Sequence, residues 1–310
     1  MTLLQSSQTH IPLEQMNCPI CQAPTTRQFQ KATFWIRGCT SCQHQFLETH
    51  TNAEHVDAVY GDEYFDGGGA GYPGYLAESG LIRAHGRRYA KLLSKYMPTG
   101  CMLDVGAAAG FVLQGFVQSG WQGTGVEPND RMASYGRECL GLDIRTGSFE
   151  QVEANDTYDL VNMVQVIPHF WNLNQALETA SQATKPGGYW LIETWNRESR
   201  LAKFFGTNWH EYSPPSVLRW FSPSDLALLA SQYGFREVDR GQPQKWISGA
   251  HVKSLVSHKL KTMGILRHCR ILLKLVPDKL RIPYPSEDLF WALYQKDDGV
   301  KLDSPHETRS

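Results

Sequence analysis

The stretch over residues 102–127 constrains the fold of this chain more than any other part of the sequence. A short apolar run over 102–105 predicts a buried strand, and the small residues of 106–110 predict a tight turn. A helix follows from Phe111, and a second strand over 124–126 ends in an acid. These elements make a βαβ unit, which predicts an α/β, doubly wound sheet with a ligand site at the carboxyl ends of its strands.

The turn favours a nucleoside ligand that is not a dinucleotide. Gly106 and Gly110 let a ligand approach the backbone closely. Glu127 follows about twenty residues later, where an acid accepts hydrogen bonds from ribose hydroxyls. A dinucleotide site uses G-x-G-x-x-G, but Ala108 and Phe111 occupy its second and third glycine positions.

Asp104 precedes the first glycine, Gly106, by two residues. It narrows the range of ligands that suit the turn. Its carboxylate would repel a pyrophosphate, whereas it suits a ligand with an ammonium and a sulfonium group. The stretch resembles motif I, (D/E)-x-G-x-G-x-G, of the class I S-adenosylmethionine-dependent methyltransferases, with Ala108 at the middle glycine. The resemblance extends over residues 80–296, and it implies a Rossmann-like, seven-stranded sheet with an antiparallel last strand.

Three later features follow in the order that this resemblance requires. The apolar run over 158–167 predicts a fully buried parallel strand. A Pro-Gly-Gly turn over 185–188 is expected before the fifth strand, and 289–295 predicts the last one. The group acting on small molecules, similar to ubiquinone-biosynthesis methyltransferases, is the one that the chain resembles most.

The predicted cofactor contacts lie on the turn and on the loops around it. The resemblance implies that the turn holds the methionine portion of S-adenosylmethionine and that Glu127 holds its ribose. Phe149 either stacks on the adenine or belongs to the core. The tyrosine-rich loop over 60–75 either closes over the cofactor or packs the ribbon against the catalytic domain. The full set is Tyr64, Asp104, Gly106, Ala108, Gly110, Phe111, Glu127, Pro128, Ser148, Phe149 and Gln165.

Two histidines are candidates for catalysis. His169 follows the fourth strand of the core, where related enzymes often carry a Glu-His pair; Pro168 replaces the glutamate here. It is either a general base, since histidine titrates near neutral pH, or a residue that caps a helix and shapes the pocket. His210 lies in an aromatic segment resembling the family's substrate wall, but before the prolines rather than after them. Substrate contacts are predicted for Tyr75, Trp209 and Tyr212, with aromatic packing at a domain edge as the alternative.

Cys18, Cys21, Cys39 and Cys42 form two C-x-x-C pairs. This spacing predicts a zinc ribbon, with a hairpin between the pairs. Four thiolates complete a tetrahedral shell, so the zinc should be structural. His44 is expected to be a surface histidine, with a substitute ligand as the alternative.

Composition limits the partners. Hydrophobic residues make up 41% of the chain, charged residues 20%, and the net charge is -1, so no global field favours nucleic acid or an anionic membrane. The amino terminus lacks a secretory pattern, and a cytoplasmic location is expected. The basic stretch 251–281 suits a peripheral membrane or an acidic carrier, or else a solvated face.

The sequence predicts five segments and one main function. The segments are a zinc ribbon (1–48), an aromatic loop and connector helix (49–98), the methyltransferase core (99–242), a basic helical insert with the final strand (243–296) and a tail (297–310). The predicted function is methylation of a small-molecule acceptor in secondary or cofactor metabolism, with oxygen favoured over carbon or nitrogen. The alternatives are an rRNA base methyltransferase and a non-catalytic binding protein; the oligomeric state stays open.

Overall fold

The computed structural model describes residues 15–62, 65, 75–152, 156–244, 246–249, 253, 277, 280–283 and 286–298. Within them the strands are β1 (Thr25–Lys31), β2 (Phe34–Cys39), β3 (Gln45–Leu47), β4 (Cys101–Val105), β5 (Gln122–Glu127), β6 (Asp143–Thr146), β7 (Tyr158–Val164), β8 (Thr184–Trp195), β9 (Arg219–Trp220), β10 (Phe235–Gly241), β11 (Trp246–Ser248), β12 (Arg281–Pro283) and β13 (Leu289–Lys296). The α-helices are α1 (Ala53–Val59), α2 (Ser79–Leu93), α3 (Phe111–Val117), α4 (Asp130–Leu140), α5 (Leu173–Ala183), α6 (Arg200–Phe205) and α7 (Pro223–Ser231).

Seven strands form the central sheet, in the order β10-β13-β8-β7-β4-β5-β6. Strands β4 to β8 run parallel to one another, and β13 runs antiparallel to both β8 and β10. The predicted doubly wound sheet with an antiparallel last strand is therefore confirmed. The strand order reverses at β4, between β5 and β7, and a crevice for a ligand opens at the carboxyl ends of strands at such a point.

The predicted Pro-Gly-Gly turn is wrong in one respect, because residues 185–188 belong to β8 itself. Thr184 pairs with Tyr158 of β7, and the next printed pair joins Tyr189 to Leu160, so β8 carries a bulge here. Gly187 has a φ of +71°, a conformation that glycine adopts without strain. Bulges bend a strand without ending it, which is why the breaker residues did not start a separate element.

Both faces of the sheet are covered. On one face, buried side chains of β7 pack with α5, α7 and the ribbon, for example Val161, Leu177 and Leu226. On the other face, Leu160 packs with Leu93 of α2 and with α3. Coverage on both faces explains why β7 reads as a near-continuous apolar run.

The ribbon is joined to the rest of the fold by a shared sheet and a shared core. Strands β1, β2, β3 and β9 form a second sheet in that order. Cys18, Ile20 and Cys39 belong to the same buried cluster as Phe221, the residue that follows β9. The ribbon therefore packs as an integral layer.

The expectation that His44 is a surface histidine is wrong. His44 is fully buried, and its Nδ1 lies 2.8 Å from Asp225 Oδ2. Asp225 also closes a capping box with Ser222 at the start of α7. Desolvation, opposed by Asp225, lowers the pKa of His44. His44 lies two residues after Cys42, but its partner is 181 residues away, so local sequence did not reveal the contact.

The segment after β10 contains a small antiparallel pair, β11 with β12. Most of the basic stretch 251–281, with its predicted helices, lies outside the described residues, as does the tail from 299. No described helix combines the length and apolar character needed to cross a bilayer.

Candidate functional site

The turn over 106–110, called the cradle below, joins β4 to α3 at the point where the strand order reverses. Gly106 and Gly110 have φ values of +68° and +81°, in the left-handed region. A β-carbon on Gly106 would lie 2.9 Å from Val166 Cγ2. The Gly106 amide donates to the Val126 carbonyl at 2.9 Å, which fixes the cradle to β5. The two predicted glycines are therefore required by the shape of the turn.

Glu127 ends β5 beside the cradle. Its Oε2 accepts a hydrogen bond from the Ala108 amide at 2.7 Å, and its Oε1 accepts one from the Asn129 amide at 2.9 Å. Ala108 has a φ of +48°, a strained value for a residue with a side chain. Burial raises the pKa of Glu127 to about 7, although both amides act to lower it. The acid predicted to hold a ribose is thus oriented at the edge of the cradle.

Asp104 provides a test of whether this crevice suits a cationic ligand. The carboxyl is 3% exposed, and its Oδ1 accepts from Asn162 Nδ2 at 2.6 Å. Its Oδ2 is buried and receives no hydrogen bond of normal geometry from the described residues, although the Leu113 backbone amide acts to lower the pKa of the carboxyl. Burial raises the pKa of Asp104 to about 7. A buried acid with an open acceptor position fits a ligand that brings positive charge or a donor, so the site passes the test for S-adenosylmethionine.

Tyr60, just after α1, connects the ribose side of the site to the His169 side. Its carbonyl accepts from Asn129 Nδ2 at 3.1 Å, and Asn129 in turn donates its amide to Glu127. Its hydroxyl donates to the Ser216 carbonyl at 2.7 Å. The Tyr60 ring also meets the His169 ring edge to face, with centroids 5.7 Å apart. The tyrosine-rich loop was expected to reach this crevice, but Tyr60 itself was not among the predicted site residues.

His169 lies in a short 3-10 helix, Ile167–His169, one turn beyond β7. Its Nδ1 is 2.7 Å from the carbonyl oxygen of Ser216. Because a carbonyl only accepts, Nδ1 carries the proton and Nε2 carries the lone pair. Burial lowers the pKa of His169 below its usual range, so the ring stays neutral at neutral pH. The ring is therefore prepared to accept a proton at Nε2.

Gln165 directly follows β7 and has a φ of +60°, uncommon for a residue other than glycine. Its Nε2 donates to Glu193 Oε1 at 2.8 Å, and its amide donates to the Glu193 carbonyl at 2.9 Å. Since the amide nitrogen of the Gln165 side chain faces Glu193, its Oε1 is left as an acceptor. This orientation suits the predicted contact with a cofactor that carries an ammonium group.

Glu193 is the centre of a buried polar network that sequence reasoning missed. Its Oε2 accepts a hydrogen bond from the Tyr89 hydroxyl and lies 2.7 Å from His85 Nε2. Arg88 Nη2 lies 3.2 Å from His85 Nδ1, so Nδ1 accepts and Nε2 donates to Glu193. An acid at the carboxyl end of an apolar strand was a visible signal, but its partners on α2 lie more than a hundred residues away in the chain.

The residues predicted to lie beside the adenine are largely buried or hydrogen-bonded to the protein. Phe149 is 4% exposed and lies against Phe170, with ring centroids 6.1 Å apart, which agrees with the core alternative. Ser148 Oγ donates to Glu150 at 2.6 Å and accepts from the Trp171 indole at 3.2 Å. Pro128 is half-buried between Glu127 and the start of α4.

Phe111, the first residue of α3, is 1% exposed. Tyr75 stacks on it with centroids 5.4 Å apart and also meets Phe65 edge to face at 5.6 Å. The structure thus places Tyr75 beside the cradle helix, where it packs on a residue predicted to contact the cofactor. Tyr64 lies outside the described residues.

Trp209 and Tyr212, for which substrate contacts are predicted, are both buried. Trp209 is 1% exposed and donates its indole N–H to Asp288 Oδ2 at 2.9 Å. The Tyr212 hydroxyl donates to Gln45 Oε1 of the ribbon at 2.6 Å. Both belong to a buried cluster that includes Ile36 of the ribbon, so they pack the segment against it. Their contact with the substrate stays a prediction, with aromatic packing as the alternative.

His210 remains at the surface, with 44% of its side chain exposed. Its ring meets Trp195, at the end of β8, edge to face at 4.7 Å. Its Nδ1 lies 3.8 Å from Asp288 Oδ2. The structure therefore places His210 near the carboxyl end of β8, whereas His169 follows the neighbouring strand β7.

The four predicted cysteines converge in the ribbon, with Sγ atoms that all lie within 4.8 Å of one another. Cys18 and Cys42 are 3.5 Å apart at sulfur, and Cys21 and Cys39 are 3.4 Å apart. Tetrahedral thiolates at about 2.3 Å from zinc place their sulfurs about 3.8 Å apart. The Ser41 amide donates to Cys39 Sγ at 3.3 Å. The set fits a closed, structural zinc site.

The architecture, cradle and acids define the protein's class, a methyltransferase with a Rossmann-like fold. A family model described as "Methyltransferase domain" matches residues 80–239, and the chain belongs to this family. The matched range starts in α2, includes the cradle and ends in β10. The resemblance to class I methyltransferases is thereby confirmed.

Curated relatives agree with this assignment. Ubiquinone biosynthesis O-methyltransferases from Rhodopseudomonas palustris (strain BisB18) and Bradyrhizobium sp. (strain ORS 278) are each 26% identical, over 148 and 145 residues, covering 46% and 45% of this chain. The chain spans about half of their length, 50% and 49%.

Two solved structures share the fold. The Bacillus YcgJ protein superposes with a TM-score of 0.51 at 16% identity, covering 70% of this chain and 100% of that one. A chain from the Haloferax volcanii complex of the Trm112 methyltransferase activator with a putative methyltransferase gives 0.51 at 14% identity, covering 80% and 99%.

Proposed function

We propose that this protein transfers the methyl group of S-adenosylmethionine to an oxygen atom of a small-molecule acceptor. The observation that carries the proposal is the contact of His169 Nδ1 with the Ser216 carbonyl, which leaves Nε2 as the acceptor in the short helix that follows β7. The names of the ubiquinone-pathway relatives support an oxygen acceptor. A hydroxyl must lose its proton as it accepts a methyl group, whereas many amines need no base.

The cofactor side of the site would bind by charge and hydrogen bonding. Bound S-adenosylmethionine supplies a methyl carbon that its sulfonium makes electrophilic. Glu127 would accept hydrogen bonds from the ribose hydroxyls, and Asp104 with Gln165 Oε1 would favour the cationic methionine portion. These residues hold the ligand in place, so that much of the rate comes from orientation.

The acceptor side would depend on His169. Its Nδ1–H is held by the Ser216 carbonyl, so Nε2 faces a fixed direction and takes the proton of the acceptor hydroxyl. The lowered pKa of the ring keeps Nε2 unprotonated at neutral pH. His210 stays a second candidate for contact with the acceptor, near the end of β8.

The zinc ribbon would bind one structural Zn²⁺ through Cys18, Cys21, Cys39 and Cys42. A site of four thiolates has no open position, so it would not take part in methyl transfer. Reduced cysteines that bind metal suit a reducing compartment, and we infer a cytoplasmic location. Metal analysis of protein purified without chelators should give about one zinc per chain. Protein without zinc, in which the four ribbon thiols all react with a thiol reagent, would contradict this assignment.

The function is tested with isotopically labelled S-adenosylmethionine and a metabolite extract, with products identified by mass spectrometry. We expect a labelled methyl ether on a small molecule, formed by wild-type protein and lost in both Glu127→Ala and His169→Gln. A labelled amine or carbon centre would contradict the oxygen assignment. Methylated RNA as the labelled product, with salt-sensitive RNA binding, would replace the proposal with an rRNA methyltransferase.

A further inference from the structure

The last ribbon strand, β3, pairs with β9, a strand outside the ribbon. Gln45 and Phe46 of β3 pair antiparallel with Trp220 and Arg219 of β9. The Leu47 amide extends this ladder by donating to the Leu218 carbonyl at 2.8 Å. Strand β9 has two residues, too few to hold its own position, so β3 supplies the edge on which it forms.

The segment that includes β9 also holds the turn that carries His169. The Leu218 amide donates to the Pro168 carbonyl at 3.0 Å, and Arg219 donates a guanidinium N–H to the Phe170 carbonyl. The Ser216 carbonyl receives Nδ1–H of His169 itself. Three contacts from 216–219 therefore fix the position, direction and tautomer of the candidate base.

A separate set of contacts holds the cofactor side. Glu127 is held by the Ala108 and Asn129 amides, and Asp104 by Asn162. These residues belong to β4, β5, β7 and the adjoining turns. Apart from Tyr60, which links Asn129 to the Ser216 carbonyl, the two halves of the site thus have different supports.

The ribbon is fixed in turn by its cysteine cluster and by His44. Cys39 ends β2, and its amide donates to the carbonyl of His44 at 2.9 Å. The His44 side chain binds Asp225 at the start of α7. The segment from Cys39 to His44 leads into β3. A metal bound by the four cysteines would fix its start, and the contact between His44 and Asp225 fixes its end.

We propose that the metal-loaded ribbon positions His169 through β3, β9 and Ser216, so that metal binding controls methyl transfer without controlling cofactor binding. The proposal rests on the proposed function only in giving His169 the role of base. His169 is the residue that contacts the acceptor, and Ser216 and Arg219 are positioning residues. The ribbon is then a support for the acceptor half of the site.

The first test compares zinc-loaded and chelator-treated protein with no acceptor present. Histidine-labelled nitrogen NMR, with the His169 signal assigned from the spectrum of His169→Gln, should show the Nδ1–H tautomer with zinc and a mixture of tautomers without it. Calorimetry with S-adenosylmethionine should give affinities within about threefold of each other, which is less than 1 kcal/mol. An unchanged His169 signal, or an affinity that falls together with the tautomer, would overturn the proposal.

The second test leaves the cysteines intact. Arg219→Gln removes the guanidinium that binds Phe170, and Gln28→Ala is the control, because Gln28 is an exposed ribbon residue that bonds only locally to Thr26. We expect Arg219→Gln to retain zinc and cofactor affinity, to disturb the His169 tautomer and to lower kcat at least about tenfold. A normal tautomer in Arg219→Gln would contradict the positioning role even if no methyl acceptor were ever found, so this result is independent of the proposed reaction.

Discussion

Glu127 accepts a hydrogen bond from the Ala108 amide at 2.7 Å, and this bond joins the end of β5 to the middle of the cradle. The same carboxylate accepts from Asn129, whose side chain binds Tyr60. One acid thus connects the cradle, the start of α4 and the segment that approaches His169. It is both a predicted ligand contact and a support of the crevice.

Glu127→Ala should weaken S-adenosylmethionine binding at least tenfold, about 1.4 kcal/mol, because the ribose loses its acceptor and the Ala108 amide loses its partner. Calorimetry measures the change. Glu138→Ala, at an exposed position of α4, is the matched control and should bind as wild type does. Equal affinities for the two variants would remove Glu127 from the site.

Asp104→Asn should stabilise the ligand-free protein at pH 8 while weakening cofactor binding. Burial raises the pKa of Asp104 from 3.8 to about 7, so the folded state disfavours the carboxylate. Asp104 contributes fully to the free energy of unfolding below its pKa in the unfolded chain, 3.8, where it is neutral in both states. This contribution is lost as the pH rises through about 7, its pKa in the folded protein. Thermal unfolding should therefore show a gain on the order of 2 kcal/mol at pH 8, and a smaller one at pH 5.

A gain in Asp104→Asn that is equal at both pH values would show that charge burial is not its cause. Retained cofactor affinity in the same variant would separate Asp104 from ligand binding. Both outcomes are measured on folded Asp104→Asn protein, so unfolding of the variant cannot account for either of them.

The sequence predicted the central sheet because its signals are local. The apolar run of β7, the small residues of the cradle and the acid at Glu127 each lie within one element and its turn. The cysteine pairs were equally clear, since C-x-x-C places two ligands on one knuckle.

The contacts between distant segments were not predictable. His44 and Glu193 are bound by residues more than a hundred positions away, so neither partner could be identified from periodicity. Trp209 shows a related limit. An aromatic side chain in a long loop looks the same in sequence whether it contacts a ligand or the ribbon.

His44→Ala should lower the free energy of unfolding by about 2 to 3 kcal/mol, because Asp225 loses a fully buried hydrogen-bonded partner. Urea unfolding of the zinc-loaded protein measures the loss. His50→Ala is the matched control in the same part of the chain, at an exposed position, and should change stability by less than about 0.5 kcal/mol. Similar losses in both variants would mean that the His44–Asp225 contact contributes little.

The pH dependence of the reaction should separate the base from the cofactor acids. Because burial lowers the pKa of His169, the acid limb of kcat should have its midpoint below the usual histidine value of 6.5. Asp104 and Glu127 have pKa values of about 7 in the free protein. As the pH is lowered, kcat/KM should therefore begin to decrease at a higher pH than kcat does. An acid limb of kcat that persists unchanged in His169→Gln would assign it to another group.

The account depends most on one binding event, and calorimetric titration of the zinc-loaded protein with S-adenosylmethionine tests it directly. We expect about one molecule bound per chain, with affinity that decreases as pH falls below about 7, because the raised pKa values of Asp104 and Glu127 leave both acids neutral there. No detectable binding at pH 8 to a protein that contains zinc and is folded would contradict the central claim.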